Sequence, residues 1–443
     1  MNRRDFIQLT GAAAVAAACG PKATRTEAGA APELMVLREN PACGDKVSLL
    51  GFGCMRWPMI DGPDGKKVID QEAVNEMVDY ALAHGVNYFD TSPVYLRGQS
   101  EKAAGEALSR HPRSSYFLAT KLSNFSDASA RNSMAMYRHS FEQLRTDYFD
   151  YYLLHALSGR EAFEKRYAES GIMDFLQEEK AAGRIRNLGF SFHGPQSGFD
   201  ELLALHDEGK YHWDFVQIQM NYMDWNHQDD KDETNASHMY AELEKRGIPV
   251  VIMEPLLGGR LANVPAGIAD QMKAREPGRS IASWAFRFCG SYPGVLCVLS
   301  GMTNMDPLKD NLNTFGHFQA LSDEEKDFLE RMVTQMKEYP LVGCTACQYC
   351  MPCPWGIDIP GVFQHYNRAV TEGTYAQSST QKGYERLKKA YLVGYDRAVA
   401  SVRQADHCIA CGECVRHCPQ HIAIPGELRR IARYVEKLKQ DLL

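Results

Sequence analysis

The fold class predicted by the sequence is α/β: a (β/α)8 barrel followed by a small, mostly helical domain. Two observations predict it. Between residues 47 and 320 eight short apolar runs alternate with amphipathic stretches, and beyond residue 341 eight of the thirteen cysteines crowd into the end of the chain. At 443 residues there is length for one large and one smaller unit. A composition of 44% hydrophobic and 24% charged residues, with no low-complexity tract, fits a folded chain. The net charge of −7 argues against a nucleic-acid-binding face, and the locally basic ELRRIARYVEKLK reads as a solvated helix face.

The first element, residues 1–33, lies outside the fold. Arg3 and Arg4 precede Phe6 and a weakly apolar run ending at Ala18. That run is too short to span a bilayer, and the layout matches a twin-arginine export signal. The expected address is periplasmic or otherwise exported. Ala16, Ala17 and Ala18 offer small residues for cleavage, whereas Cys19 offers a lipid anchor instead, without the leucine that such motifs usually carry. Residues 20–33 read as a tether.

The barrel, assigned to 34–320, follows. Its apolar runs are VSLLGFG, VNYFDTS, SYFLATKL, FDYYLLH, IRNLGFSF, DFVQIQMN, PVVIMEP and GVLCVLSG. Between them, stretches such as DQEAVNEMVDYALAHG repeat apolar residues at three- and four-residue steps and often end in glycine, the mark of helices. Continuous apolar strands separated by helices form a parallel sheet covered on its outer side, and this many units favour a closed TIM barrel over an open sheet. No GxGxxG follows an early strand, which counts against a Rossmann domain. The stretch LSDEEKDFLERMVTQMKEY, within 321–340, reads as a linker helix. The last unit, 341–443, holds an internal repeat, CPWGIDIPG at 353–361 and CPQHIAIPG at 418–426.

In such a barrel the chemistry sits at the carboxyl ends of the strands. Asp90, Lys121 and His155 fall at the ends of the second, third and fourth runs, with Tyr95 in the loop DTSPVY. The set suggests proton donation to a carbonyl oxygen. Tyrosine has a pKa of about 10; a nearby lysine would lower it, and an aspartate would hold the lysine in place. Asp and Lys at strand ends also form purely structural pairs, and position alone leaves both readings open.

The stretches LGFGCMRWP, YFDTSPVYLRGQSEKAAGEAL, LATKL, YYLLH, IRNLGFS, VQIQMNY, PLLGGRL and SGMTNMDPLKDN, in that order, resemble the aldo-keto reductase family across about residues 46–318. The resemblance implies that Asp90, Tyr95, Lys121 and His155 form the catalytic tetrad. It also implies a nicotinamide cofactor, NADH or NADPH, across the barrel mouth. Ser191 and Gln217, with Asn221 nearby, would hold the carboxamide; Gly301, Met302, Thr303, Asn304 and Asn311 would hold the adenosine phosphates. The chain departs from the family pattern at Phe192, where many relatives have asparagine. Met253 stands in the place of a tyrosine that stacks on nicotinamide. Pro307, with Lys309 close by, replaces an arginine that grips a 2′-phosphate. NADP preference is thereby placed in doubt.

The second cysteine run, Cys408-x2-Cys411-x2-Cys414-x3-Cys418-Pro, is the bacterial ferredoxin pattern. The first, Cys344-x2-Cys347-x2-Cys350-x2-Cys353-Pro, is one residue shorter before its last cysteine. In two-cluster ferredoxins the fourth cysteine serves the other cluster. That logic pairs Cys344, Cys347 and Cys350 with Cys418, and Cys408, Cys411 and Cys414 with Cys353, around two 4Fe-4S clusters in a helical, ferredoxin-like domain. Zinc sites use CxxC pairs set well apart, and closely spaced cysteines make poor disulfide partners. Cys43, Cys54, Cys289 and Cys297 are expected as buried apolar residues.

The two ends of the chain agree, because the twin-arginine route carries folded, cofactor-loaded proteins. The expected function is an exported aldo-keto reductase-like oxidoreductase acting on a small-molecule carbonyl or alcohol, such as a sugar. Its clusters would be structural or would relay electrons to a redox partner. The alternative is an iron–sulfur electron-transfer protein whose barrel is a binding scaffold.

Overall fold

The computed structural model describes residues 35–63, 66–226 and 235–443; the expected export signal and tether, with Cys19, lie outside them. Eight parallel strands close a barrel: β1 (Leu50–Gly53), β2 (Tyr88–Asp90), β3 (Phe117–Leu122), β4 (Phe149–Leu157), β5 (Ile185–Phe192), β6 (Val216–Gln219), β7 (Val250–Met253) and β8 (Val295–Ser300). Each coincides with one of the eight apolar runs, β4 continuing two residues beyond FDYYLLH. They are buried almost throughout because side chains face the barrel interior on one side and a helical layer on the other. Tyr88, Ala119, Tyr151, Phe215, Val251 and Cys297 fill the interior, so the barrel is a packed core.

A hairpin, Leu37–Glu39 with Lys46–Ser48, is tied to the barrel. Arg38 donates to the carbonyls of Tyr292, Val295 and Gly290, and Asn40 Nδ2 donates to Tyr151 Oη at 3.2 Å. Cys54, Cys289 and Cys297 are buried as expected, but Cys43 is exposed. It occupies the tight turn of this hairpin, where no second layer covers it.

The helix Asp323–Lys337 opens with a capping box between Ser322 and Glu325. Its apolar face (Phe328, Leu329, Met332, Val333, Met336) is buried in the core that the barrel helices share. Arg287 binds Glu325 from the barrel side at 2.8 Å. The segment read as a linker therefore packs as an outer helix of the barrel.

The cysteine-rich domain has its own core around the helices Ile359–Thr371, Tyr384–Ala398 and Ile424–Gln440. The two repeats explain the first and third helices. In each, a cysteine precedes the helix by the same spacing, and a proline stands in the first turn, where its missing N–H costs nothing. His365 lies between the rings of Tyr391 and Tyr395, at centroid distances of 4.8 and 5.3 Å. Burial pushes its pKa down from 6.5 to about 4. The unfolded chain takes up this proton first as pH falls, so the stability tied to neutral His365 is present above pH 6.5 and drains between 6.5 and about 4. Denaturant melts should show a loss of about 2 kcal/mol from this group between about pH 7 and pH 5. The same melts of His365→Phe should show a correspondingly shallower pH dependence.

Candidate functional site

The carboxyl ends of the strands bring the four tetrad candidates together. Asp90 closes β2, and Lys121, on the neighbouring β3, donates to its Oδ1 at 2.5 Å and to the Thr91 carbonyl at 2.9 Å. Both side chains are almost fully shielded from solvent. Gln217 Nε2 donates to the other carboxylate oxygen at 3.0 Å. Tyr95 opens a short turn in which Leu96 and Arg97 adopt left-handed φ values of 50° and 57°. Its ring lies 5.0 Å from Lys121 Nζ and edge-on to His155, with centroids 5.8 Å apart.

A bulge places His155. The β4–β5 register shifts between Leu154 and Leu157, and Ala156, at φ 50°, donates its N–H to Ser191 Oγ at 2.8 Å. Such a bulge re-aims the side chain beside it. His155 Nδ1 bonds Ser123 Oγ at 2.5 Å and Ser92 Oγ at 3.3 Å. These two serines, which sequence reasoning missed, hold the imidazole by one nitrogen.

Electrostatics correct one expectation. The net shift of Tyr95 runs upward, not downward: burial raises its pKa well above 10, and Tyr349, Asp90 and Glu254 push it further the same way. The lysine charge is spent on Asp90, and burial lowers the pKa of Lys121 itself. His155 is held well below 6.5 by burial and by Lys121 and Arg166. At neutral pH the site presents a protonated phenol beside a neutral imidazole, which is the form a proton donor needs.

The residues assigned to the cofactor divide into two groups. Ser191, Gln217 and Asn221 stand at the ends of β5 and β6. All three are buried and partnered, with Asn221 donating to Asp224 at 2.6 Å and to the Glu254 carbonyl at 3.1 Å. Gly301, Met302, Thr303 and Asn304 form the loop after β8; Met302 points into the core, and Asn304 caps the next helix through Asp306 N. Asn311 donates to Ser300 Oγ at 2.9 Å.

The eight cysteines of the terminal domain form two sets. Cys344, Cys347, Cys350 and Cys418 line one cavity; Cys353, Cys408, Cys411 and Cys414 line another. Each set draws three thiols from one run and the fourth from the other. Among the described residues no three Cys, His, Asp or Glu side chains converge tightly enough for a single metal ion. Three thiols from one ferredoxin-type run and a fourth from the other, around one hollow, match the ligand sharing of two-cluster ferredoxins. Cys418→Ser is expected to perturb the cluster of the first run, and Cys408→Ser the other. In anaerobic EPR and iron analysis the double variant should then lose both signals. Loss of one signal only would place the two cysteines on the same cluster.

No local motif indicates how closely the cysteine-rich domain approaches the four tetrad candidates. Tyr349, between Cys347 and Cys350, lies close enough to Tyr95 for each phenol to act on the other's titration. The one available signal was a bulky polar residue inside a ligand run. Arg56, Glu254, Gln219 and Gln420 also join the two domains, each through residues far away in sequence. On the rim, Phe125 is about half exposed, with its ring 5.1 Å from that of His155 and 4.6 Å from the Arg166 guanidinium.

Comparison with known proteins gives the same division. The model of the aldo/keto reductase family matches residues 49–333, and that of a 4Fe-4S dicluster domain matches 343–423. L-galactose dehydrogenase of Arabidopsis thaliana is 26% identical over 305 residues, covering 65% of this chain and 90% of that protein. The holo form of an aldo-keto reductase from Bacillus halodurans superposes with a TM-score of 0.52 at 24% identity, over 67% of this chain and 96% of that one. An aldo-keto reductase from Klebsiella pneumoniae in complex with NADPH does so with a TM-score of 0.53 at 21% identity, over 68% and 95%. At these identities the structures share the fold.

Proposed function

The chain belongs to the aldo/keto reductase family and carries a 4Fe-4S domain, and from that premise we propose that it interconverts a carbonyl and an alcohol at Tyr95 on a sugar or polyol. One observation carries the reaction: a buried, protonated Tyr95 stands beside the Lys121–Asp90 pair and His155 at the barrel mouth. In the reductive direction the carbonyl carbon takes up a hydride, two electrons with one proton, and Tyr95 gives the second proton to oxygen. Asp90 holds Lys121, and Lys121 keeps a positive charge near the oxygen as it becomes negative, where a fixed charge is worth most. The serines Ser92 and Ser123 orient His155 toward the same space.

The sugar assignment rests on the rim. Phe125 offers an aromatic face beside His155, and the Arg166 guanidinium lies over the same ring. A polyhydroxylated substrate uses both kinds of contact. The dehydrogenase of L-galactose among the relatives supports the same class.

The cysteine sets would hold two 4Fe-4S clusters, which supply one-electron transfer, and a redox partner would receive or deliver those electrons. NADH or NADPH is the hydride carrier suggested by the family. Export through the Arg3–Arg4 signal, with cleavage or a lipid anchor at Cys19, would place the enzyme outside the cytoplasm. Replacing both arginines by lysine should then retain it in the cytoplasmic fraction.

A second reading is an iron–sulfur electron-transfer protein with the barrel as scaffold; the contact of Tyr349 with Tyr95 favours it, because it joins the cluster domain to the mouth. Turnover decides between them. Anaerobically purified protein is assayed with aldoses, ketoses and polyols, using viologen or ferricyanide as mediator and, separately, NAD(P)H. Substrate-dependent turnover supports the enzyme; cluster reduction with no turnover across the panel supports the scaffold.

A further inference from the structure

The cysteine-rich domain sits on the barrel mouth, and where it touches decides what else can lie there. In the barrel order β5, β6, β7, β8, the groups Ser191 and Gln217 stand on the first two strands and the loop 301–304 follows the last. A molecule that touches both groups must cross the exit of β7. That exit, 254–258, bends sharply: Glu254, Leu257 and Gly258 have φ values of 53°, 46° and 66°.

The crossing is filled. A methyl group on Gly258 would lie 2.3 Å from the carbonyl oxygen of Thr345 and 2.6 Å from its Cα, so backbone meets backbone with nothing between. Thr345 is 2% exposed, and its carbonyl accepts from the Arg56 guanidinium at 2.6 Å. Arg56 follows β1, and its methylenes lie 3.1–3.3 Å from the place of a Cβ on Gly301. A continuous bridge therefore runs from Gly301 through Arg56 and Thr345 to Gly258. On the β6 side Gln420 Nε2 donates to Gln219 Oε1 at 2.9 Å, and over the centre Tyr349 meets Tyr95. Backbone packed on backbone leaves no layer for a phosphate chain.

We infer that the loop 344–349 occupies the strip along which an extended nicotinamide dinucleotide would lie, so the protein with its cysteine-rich domain seated does not take up NAD(P)H from solution. The residues that the family assigns to the dinucleotide are present at both ends, but the path between them belongs to the cluster domain. This inference rests on the family reading of the mouth; it leaves Tyr95 as the group that gives the oxygen its proton and removes soluble NAD(P)H as the source of the hydride. Binding tests it independently of turnover: a failed substrate panel leaves the binding result standing, and a bound dinucleotide leaves the Tyr95 result standing.

The experiment is equilibrium dialysis and fluorescence titration of the full-length protein with NADPH and NADH, clusters intact by their visible spectrum. A denatured sample is analysed for nucleotide. Wild type is expected to show no saturable binding at millimolar nucleotide and to release none on denaturation. Arg56→Ala, which frees the Thr345 carbonyl, should raise the open fraction of the mouth by about tenfold or more and bring saturable binding into the measured range. Gly258→Ala should displace the loop directly and shift the EPR signal of the cluster held by Cys344, Cys347, Cys350 and Cys418. Saturable micromolar binding by wild type, or nucleotide released at one equivalent, overturns the inference.

Discussion

Tyr95→Phe is expected to lower carbonyl reduction by roughly 10²–10⁴-fold, the contribution of a positioned general acid. The reason is geometric. The phenol is the protonated group at neutral pH, because burial and the nearby Tyr349, Asp90 and Glu254 hold its pKa well above 10. His155 cannot replace it as an acid, since its own pKa is held well below 6.5. Phenylalanine keeps the ring beside His155 and removes only the hydroxyl, so the fold and the clusters should survive. The measurement is kcat and KM with any substrate that turns over, beside the EPR spectrum of the same sample. A fall in kcat with an unchanged spectrum is the expected outcome; carbonyl turnover at the wild-type rate would exclude Tyr95 as the acid.

Lys121→Met should carry the largest stability effect of any substitution in the site. It leaves the Asp90 carboxylate buried, with Gln217 as its remaining side-chain donor. Breaking a buried pair by removing one partner costs roughly 3–5 kcal/mol, because the other charge stays out of water. Asp90→Asn in the same chain removes that stranded charge and should recover most of the loss. Thermal or urea melts of the two single variants and the double variant give the coupling directly. The double variant should nevertheless remain inactive, since stability returns without the lysine charge near the reacting oxygen. Additive destabilisation in the double variant would mean that the pair contributes little as a pair.

Much of this architecture is written in local pattern. The apolar runs mark the eight strands because a strand buried on both faces must be apolar along its whole length. Asp90, Lys121 and His155 follow from the same pattern, since the ends of those runs are the ends of the strands. The cysteine spacing carries the cluster chemistry, because three thiols at two-residue gaps wrap one face of a cluster and a fourth must arrive from elsewhere. The repeat at 353–361 and 418–426 shows from where.

Other features are absent from any local pattern. The helix at 323–337 is amphipathic whether it links domains or packs on a barrel, and only its buried partners distinguish the two. Ser92 and Ser123 are ordinary loop serines until the barrel closes and brings them to His155 Nδ1. The direction of the Tyr95 shift depends on which charges surround it in three dimensions, and two of them, Tyr349 and Glu254, lie far along the chain.

By itself, then, the sequence determined the barrel and the two cysteine runs, because each is encoded by periodicity or spacing within short windows, whereas the tetrad came from the resemblance to the aldo-keto reductase family. Only the tertiary structure decided that the cluster domain lies on the mouth, with Thr345 against Gly258 and Tyr349 against Tyr95. The physical reason is that local pattern specifies which faces are apolar or chemically equipped, whereas the meeting of two such faces depends on shape complementarity between distant surfaces, which no window of sequence contains.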